Sequence, residues 1–230
     1  MEYRYVVFDF DGVLAESNEI RFQGFADLFQ DVPADAQARF MDFVKANGGL
    51  SRYGKIRHLY KEILGQPLSE EQVHALAGQY SELVAERVIA AEAVPGSVEF
   101  LAGHADRFEF AVVSGSDQNE LRRVCRARGI DRYFRAILGS PQEKTENLTE
   151  LLSSQAWDRQ ACLYVGDSSN DRDAAAEAGI GFIGRASGLV DWKDHDEVWI
   201  CDLHGLPAAI EELTRRRDEG VEPKSRRSNT

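Results

Sequence analysis

Short, nearly unbroken apolar runs punctuate the chain. Arg4–Phe10 (RYVVFDF) is rich in β-branched and aromatic residues and ends in acids and a glycine, which predicts a buried strand. Similar runs lie far downstream at Phe108–Val113, Ala161–Val165 and Gly181–Ile183, with a weaker one at Arg135–Leu138 and a further one at Glu197–Cys201. Helical patterns at Asp117–Arg128 and Asn170–Ala178 stand between them. Each stops at a glycine, Gly129 or Gly179, where a helix C-terminus favours positive φ. Strands without polar alternation, each followed by a helix, predict an α/β fold with a parallel sheet covered on both faces.

The stretch 15–92 has a different pattern, with no convincing strand. Glu19–Phe29, Asp35–Ala46, Gly54–Leu64 and Ser69–Ala90 are predicted helices. Ser69 with Gln72 three residues on has the form of a capping box. Val94-Pro95-Gly96 closes the stretch. The expected organisation is a core made of 1–14 and 93–213, an all-helical insert at 15–92, and a disordered polar tail at 214–230. No internal repeat is visible.

Composition narrows the classes. With 43% hydrophobic and 10% aromatic residues in 230, the chain can fill a core and is not a disordered one. No apolar run approaches the roughly 18 residues of a membrane span. The start, Met1-Glu2-Tyr3-Arg4, has no signal-peptide pattern. Cys125, Cys162 and Cys201 are odd in number and widely spaced, so neither a zinc pattern nor a disulfide framework is expected. They read as small core residues of a cytoplasmic protein. The net charge of −12 argues against nucleic-acid binding. The tail from Thr214 is net basic, so the remaining body is more acidic still. An anion bound to such a body needs positive charge gathered locally.

Candidate chemistry lies at the predicted strand ends. Asp9-Phe10-Asp11-Gly12 follows the first strand, at the edge where open α/β sheets bind ligands. Two carboxylates two residues apart share a face and repel unless a cation or proton lies between them. Clustered oxygens suit a hard divalent cation such as Mg²⁺. Gly166-Asp167-Ser168-Ser169-Asn170-Asp171 repeats the design after another strand, although Asp171 also suits a helix start. Ser114-Gly115-Ser116 offers a hydroxyl and backbone donors to a phosphate oxygen, with Ser116 an ordinary N-cap candidate. Lys144, after Gly139-Ser140-Pro141, supplies a cation near that edge.

These four pieces, in this order, resemble the haloacid dehalogenase-like (HAD) hydrolase superfamily, in particular its phosphatase-like members with a helical cap after the first motif. The likeness spans residues 4 to about 213. It implies a Rossmann-like core and two-step phosphoryl transfer from a small phosphorylated metabolite such as phosphoglycolate or a sugar phosphate. Asp9 would be the nucleophile, and Asp11 the general acid and then base. Mg²⁺ would be held by the carboxylates of Asp9 and Asp167 and the backbone carbonyl of Asp11, with Asp171 holding a metal-bound water or the lysine. Ser114, the Gly115 N–H and Lys144 would hold the phosphoryl oxygens.

The insert's notable stretch is Gly48–His58, with Arg52, Lys55, Arg57 and His58 beside flexible glycines. Arg52 and Lys55 are the expected substrate-reading residues, and their charge suggests an acidic leaving group. Arg57 is expected to face solvent and His58 to pack or cap. Asp11 argues against a dehalogenase or a phosphonate hydrolase, neither of which keeps that acid. A phosphomutase acting on a sugar phosphate and a non-catalytic regulatory protein on the same fold remain as alternatives. No nucleic-acid or membrane partner is expected, and a monomer or small homo-oligomer fits.

Overall fold

A computed structural model describes residues 2–220 of the protein. The chain begins with β1 (Tyr5–Phe8) and then enters the helices α1 (Asn18–Leu28), α2 (Ala34–Ala46), α3 (Arg52–His58) and α4 (Glu70–Ile89). After α5 (Ser97–His104) come β2 (Glu109–Asp117), α6 (Gln118–Ala127), β3 (Phe134–Ser140), α7 (Lys144–Ser154), β4 (Cys162–Gly166), α8 (Ser169–Ala178), β5 (Gly181–Arg185), β6 (Val198–Ile200) and α9 (Leu206–Asp218). The strands form one sheet in the order β3-β2-β1-β4-β5-β6, and every pairing is parallel.

Strand alternation explains the layers. Val6 and Phe8 of β1 enter one apolar cluster and Val7 the other, so helices cover both faces. Register then aligns the strand ends. Phe8 stands opposite Val112 of β2 and Val165 of β4. Asp9 and Asp167, a step or two beyond those positions, therefore leave the sheet at one edge, level with Ser114 of β2. This is the Rossmann-like α/β architecture expected.

The four helices between β1 and α5 have their own packing. Phe25 meets Tyr80 and Phe40 with ring centroids 4.3 and 5.7 Å apart. Two adjacent chain segments join these helices to the sheet. The amide of Glu16 donates to Glu92 O at 2.9 Å and that of Val94 to Leu14 O at 3.2 Å. Arg128 Nη1 donates to the carbonyls of Val88, Ile89 and Ala91 at the C-terminal end of α4.

Several boundaries differ from expectation. β2 runs on to Asp117, so Ser114-Gly115-Ser116 lies inside the strand, and the N-cap of α6 is Asp117 rather than Ser116. Asp117 accepts from the amides of Asn119 and Glu120, and its carboxylate outcompetes a serine one residue outside cap position. The helix expected from Gly54 starts at Arg52 because Ser51 caps it, and it passes into a π-helical turn at Leu59–Ile63. α5 and α7 carried no expectation. The tail expected from Thr214 begins later, since α9 continues to Asp218 with Arg215 and Arg216 paired to Glu212. Residues 221–230 of that tail lie outside the described residues. Ser69 and Gln72 form the expected capping box. Cys125 and Cys162 are buried as expected, whereas Cys201 is exposed, lying just past the short edge strand β6. Among the described residues no helix is long and apolar enough to cross a membrane.

Candidate active site

β1 delivers Asp9 to the sheet edge, where its amide still donates to Val165 O at 2.9 Å. The residue is 4% exposed. Asp9 Oδ1 accepts the Phe10 amide at 2.7 Å, and Oδ2 accepts Lys144 Nζ at 3.1 Å. Lys144 is the first residue of α7, which aims its ammonium between Asp9 and Asp171 Oδ1, the latter at 2.5 Å. Asp171 is held on every side. Ser168 gives its Oδ2 an amide and a hydroxyl hydrogen bond, closing a capping box, and the Tyr164 hydroxyl is 2.9 Å from its Oδ1. The capping and functional readings of Asp171 thus coexist.

Carboxylate oxygens of Asp9, Asp167 and Asp171 lie within 4.8 Å of one another. Burial pushes the Asp9 carboxyl up to about 6; Lys144 opposes the rise, and Asp171 and Asp11 add to it. Burial, followed by repulsion from Asp171 and Asp9, pushes Asp167 up to about 8. Burial also works against the Lys144 ammonium, but Asp171 and Asp9 outweigh it and raise that pKa. A compact all-oxygen set short of positive charge fits a hard divalent cation. Gly12 is needed beside it, with φ +72° and a Cβ position only 2.0 Å from Asp167 Oδ2.

Asp11 stands apart from this group. Its Oδ1 accepts Ser17 Oγ at 2.5 Å and Arg21 Nε at 2.9 Å, and its Oδ2 accepts Ser116 Oγ at 2.7 Å. Burial raises its pKa, but Arg21 and the hydroxyl donors prevail and hold it below the usual value. Only its backbone carbonyl is left for the metal contact expected of it.

The insert helices close over the edge. A cavity of about 40 Å³ lies between, lined by Asp9, Asp11, Lys144 and Asp167 on one side and by Arg21, Arg52, Lys55 and Tyr80 on the other. Ser114 and Gly115 also line it. Arg52 reaches Glu120 Oε2 at 2.7 Å and Ser81 Oγ at 2.5 Å, while its guanidinium lies 4.7 Å from the Tyr80 ring centroid. Lys55 Nζ donates to Gly48 O at 2.9 Å. Burial, then Lys144, depresses its pKa to about 7. Arg57 is exposed and paired with Glu70, and His58 stacks on Phe43, as their sequence context suggested.

The sequence reading missed Asn18, Arg21 and Glu120. Asn18 Nδ2 donates to Asp167 Oδ2 at 2.7 Å. Arg21 joins Asp11 to Glu120, whose Oε1 is 2.5 Å from Arg21 Nη1. A signal was present for Arg21, a charged residue between Ile20 and Phe22 on the apolar side of a predicted helix. Glu120, one acid in a helix rich in arginines, gave none.

The chain belongs to the haloacid dehalogenase-like hydrolase family, whose model matches residues 6–185. It is 26% identical over 193 residues to the protein named Probable phosphatase IndB of Dickeya dadantii (strain 3937), covering 80% of this chain and 81% of that one. Phosphoglycolate phosphatase 1 of Pseudomonas aeruginosa is 25% identical over 193 residues, with 77% and 67% covered. In fold it is similar to the crystal structure of beta-phosphoglucomutase from Clostridium difficile, with TM-score 0.74, 17% identity, and 93% of this chain and 100% of that one covered. Both relatives are named phosphatases, the first a probable one, which supports the expected class, a phosphoric monoester hydrolase.

Proposed function

We propose that the protein is a Mg²⁺-dependent phosphatase that hydrolyses a small phosphomonoester through an aspartyl-phosphate on Asp9. The observation that carries this reading is the buried Asp9–Lys144–Asp171 arrangement beside Asp167 at the end of the central strand. The carboxylates of Asp9 and Asp167, with the carbonyl of Asp11, would hold the ion. When bound, it would supply positive charge that offsets repulsion between a carboxylate and a phosphate dianion.

In this reading Ser114 Oγ, the Gly115 N–H and Lys144 Nζ hold the phosphoryl oxygens. An oxygen of Asp9 attacks phosphorus as the ester oxygen leaves. Asp11 carries the proton to that oxygen. Its carboxylate is ionised against Arg21 in the free protein; a phosphate dianion beside it pushes its pKa upward, so it takes up a proton from solvent as the ester binds and then gives that proton to the leaving oxygen. It then takes a proton from the water that hydrolyses the aspartyl-phosphate. Residues 15–92 act as a cap, with Arg52 and Lys55 facing the leaving group and the closed insert excluding bulk water.

A panel of phosphomonoesters, with phosphoglycolate and sugar phosphates included, tests the reading with and without Mg²⁺. Phosphate release is expected from the parent protein and not from Asp9→Asn. Isomerisation of a sugar phosphate without release would make the protein a mutase, and turnover independent of metal would overturn the mechanism.

A further inference from the structure

Glu120 is 5% exposed and sits on α6, yet both of its carboxylate oxygens face arginines from the insert. Ion pairs therefore run from Asp11 to Arg21, from Arg21 to Glu120, and from Glu120 to Arg52. Arg21 and Arg52 line the cavity, whereas Glu120 lies behind them. We propose that Glu120 sets leaving-group selectivity: together with Asp11 it neutralises the two cavity arginines, so the site takes an uncharged, hydroxylated leaving group in preference to a carboxylate. The inference rests on the phosphomonoester reading of the site.

The charge balance supports it. In the site before substrate binds, two arginines face two carboxylates, Asp11 and Glu120, so this group is neutral as a whole. Glu120 stays ionised: burial raises its pKa, but Arg21 and Arg52 outweigh that and bring it down to about 2. Lys144 is engaged by Asp9 and Asp171. Lys55, whose pKa burial lowers to about 7, is the remaining cation on that wall among the described residues. A carboxylate entering here meets the fields of Asp11 and Glu120 without surplus positive charge to offset them.

Hydroxyl groups fare better. Arg21 Nη2 and Arg52 Nε are buried donors with no hydrogen-bond partner among the described residues. A buried N–H left unpaired is costly; these two are closed off from the cavity as it stands, so an oxygen acceptor reaches them only when the arginines shift as the insert moves from the edge. Phe22, Phe25, Leu50 and Tyr80 add apolar wall beside them. Uncommitted N–H groups next to aromatic and aliphatic surface suit a hydroxylated carbon skeleton. The positive charge of the insert, which in sequence suggests an acidic leaving group, is cancelled by carboxylates from the core.

Binding tests the proposal without requiring turnover. Calorimetry on Asp9→Asn protein with Mg²⁺ compares glycerol 3-phosphate with phosphoglycolate, two small esters that differ in the leaving group's charge. Glycerol 3-phosphate is expected to bind more tightly. Adding Glu120→Gln should move the affinity ratio toward phosphoglycolate by about ten- to 100-fold, the range for one unit charge roughly 6–12 Å away at an effective dielectric near 20. Adding Arg52→Gln as well restores the charge balance and should return the ratio. A purely structural role for Glu120 would not produce that reversal. The proposal is overturned if phosphoglycolate binds the Asp9→Asn parent more tightly, if neither ester binds, or if the ratio ignores Glu120→Gln. The parent comparison decides even if the buried substitution prevents folding. Turnover of the same esters by the unmodified protein reads hydrolysis separately, so failure of the phosphatase reading shows as bound ester without phosphate release.

Discussion

At the scale of single residues, the site consists of carboxylates differing in what neutralises them. Asp9 has Lys144, Asp11 has Arg21, Glu120 has two arginines, and Asp167 has only the amide of Asn18 and hydrogen bonding from Ser187. In the proposed reading Asp9 is the one that receives a phosphoryl group, on Oδ2, while its Oδ1 is fixed by the Phe10 amide. Asp9→Asn nearly preserves shape and should leave the fold intact while lowering phosphate release by about 10⁴-fold or more, since loss of a nucleophile removes the covalent route. A stopped reaction in a protein with an unchanged circular dichroism spectrum is the expected result; full activity would exclude Asp9 as nucleophile. Glu120 gives a separate test in stability. Its folded pKa, about 2, lies below the usual 4.5. A depressed acid contributes stability that is fully present above the unfolded pKa and is lost as pH falls through the folded one. The window is therefore about pH 4.5 down to 2, and the loss is on the order of 3 kcal/mol. Acid unfolding of Glu120→Gln, compared with the parent at several pH values, should show a difference that shrinks across that window. A constant difference would mean that the ion pairs do not carry the effect.

At the scale of elements, chemistry collects where parallel strands stop, because parallel register brings their C-terminal ends to one edge. That part was legible in the sequence. A buried strand followed at once by acids or Ser-Gly-Ser is a local signal, and Asp9, Ser114 and Asp167 are each read from a few neighbouring letters. Lys144 was found, but its helix was not, although Leu148, Leu151 and Leu152 have helical spacing and are buried. Glu120 was not legible for a different reason, and Arg21, although its apolar neighbours gave a local signal, could not be matched to its partner. They are 99 residues apart, and each lies on a helix whose charges resemble a solvated face until the helices are packed. Hydrophobic periodicity indicates which face is buried; it does not tell which charge on the margin meets another across an interface. The clustering of strand ends also sets the response to metal. EDTA should abolish phosphate release and Mg²⁺ restore it. Ca²⁺ should serve poorly, since its longer bonds and larger coordination number favour bidentate carboxylates badly placed for attack. In thermal melts Mg²⁺ should raise Tm in the parent and much less in Asp167→Asn, as expected if binding relieves the repulsion among Asp9, Asp167 and Asp171. Equal shifts in both proteins would move the ion elsewhere.

At the scale of the whole molecule, the insert and the sheet edge touch at closely fitted points. Tyr53 donates to Asp117 Oδ2 at 2.9 Å, Arg21 and Arg52 grip Glu120, and the Gly48-Gly49 turn descends onto the motifs. The cleft left between them offers about 40 Å³ to water-sized spheres, on the order of three waters. In the proposed reading the insert separates from the edge to admit an ester with an extended leaving group, and its return excludes water around the phosphoryl group. Gly49 offers a way to test that movement without altering a reacting group. A Cβ there would lie 2.5 Å from Ser168 Oγ, 2.8 Å from Asn170 Cβ and 3.3 Å from Lys144 Nζ. The φ of Gly49 is not positive, so Ala suits its backbone, and the strain arises only where insert meets core. Gly49→Ala should prop the insert away from the edge. The expected result is a fall in kcat/KM of about ten- to 100-fold, the scale of a small misplacement of positioned groups, on every ester tested, including the smallest. Mg²⁺ affinity should stay unchanged, because the metal-site carboxylates all come from the core. This pattern differs from that of Glu120→Gln, which should alter choice between esters. An unchanged kcat/KM would show that catalysis does not need the insert this close, and a parallel loss of Mg²⁺ binding would show that the methyl group had disturbed the core itself.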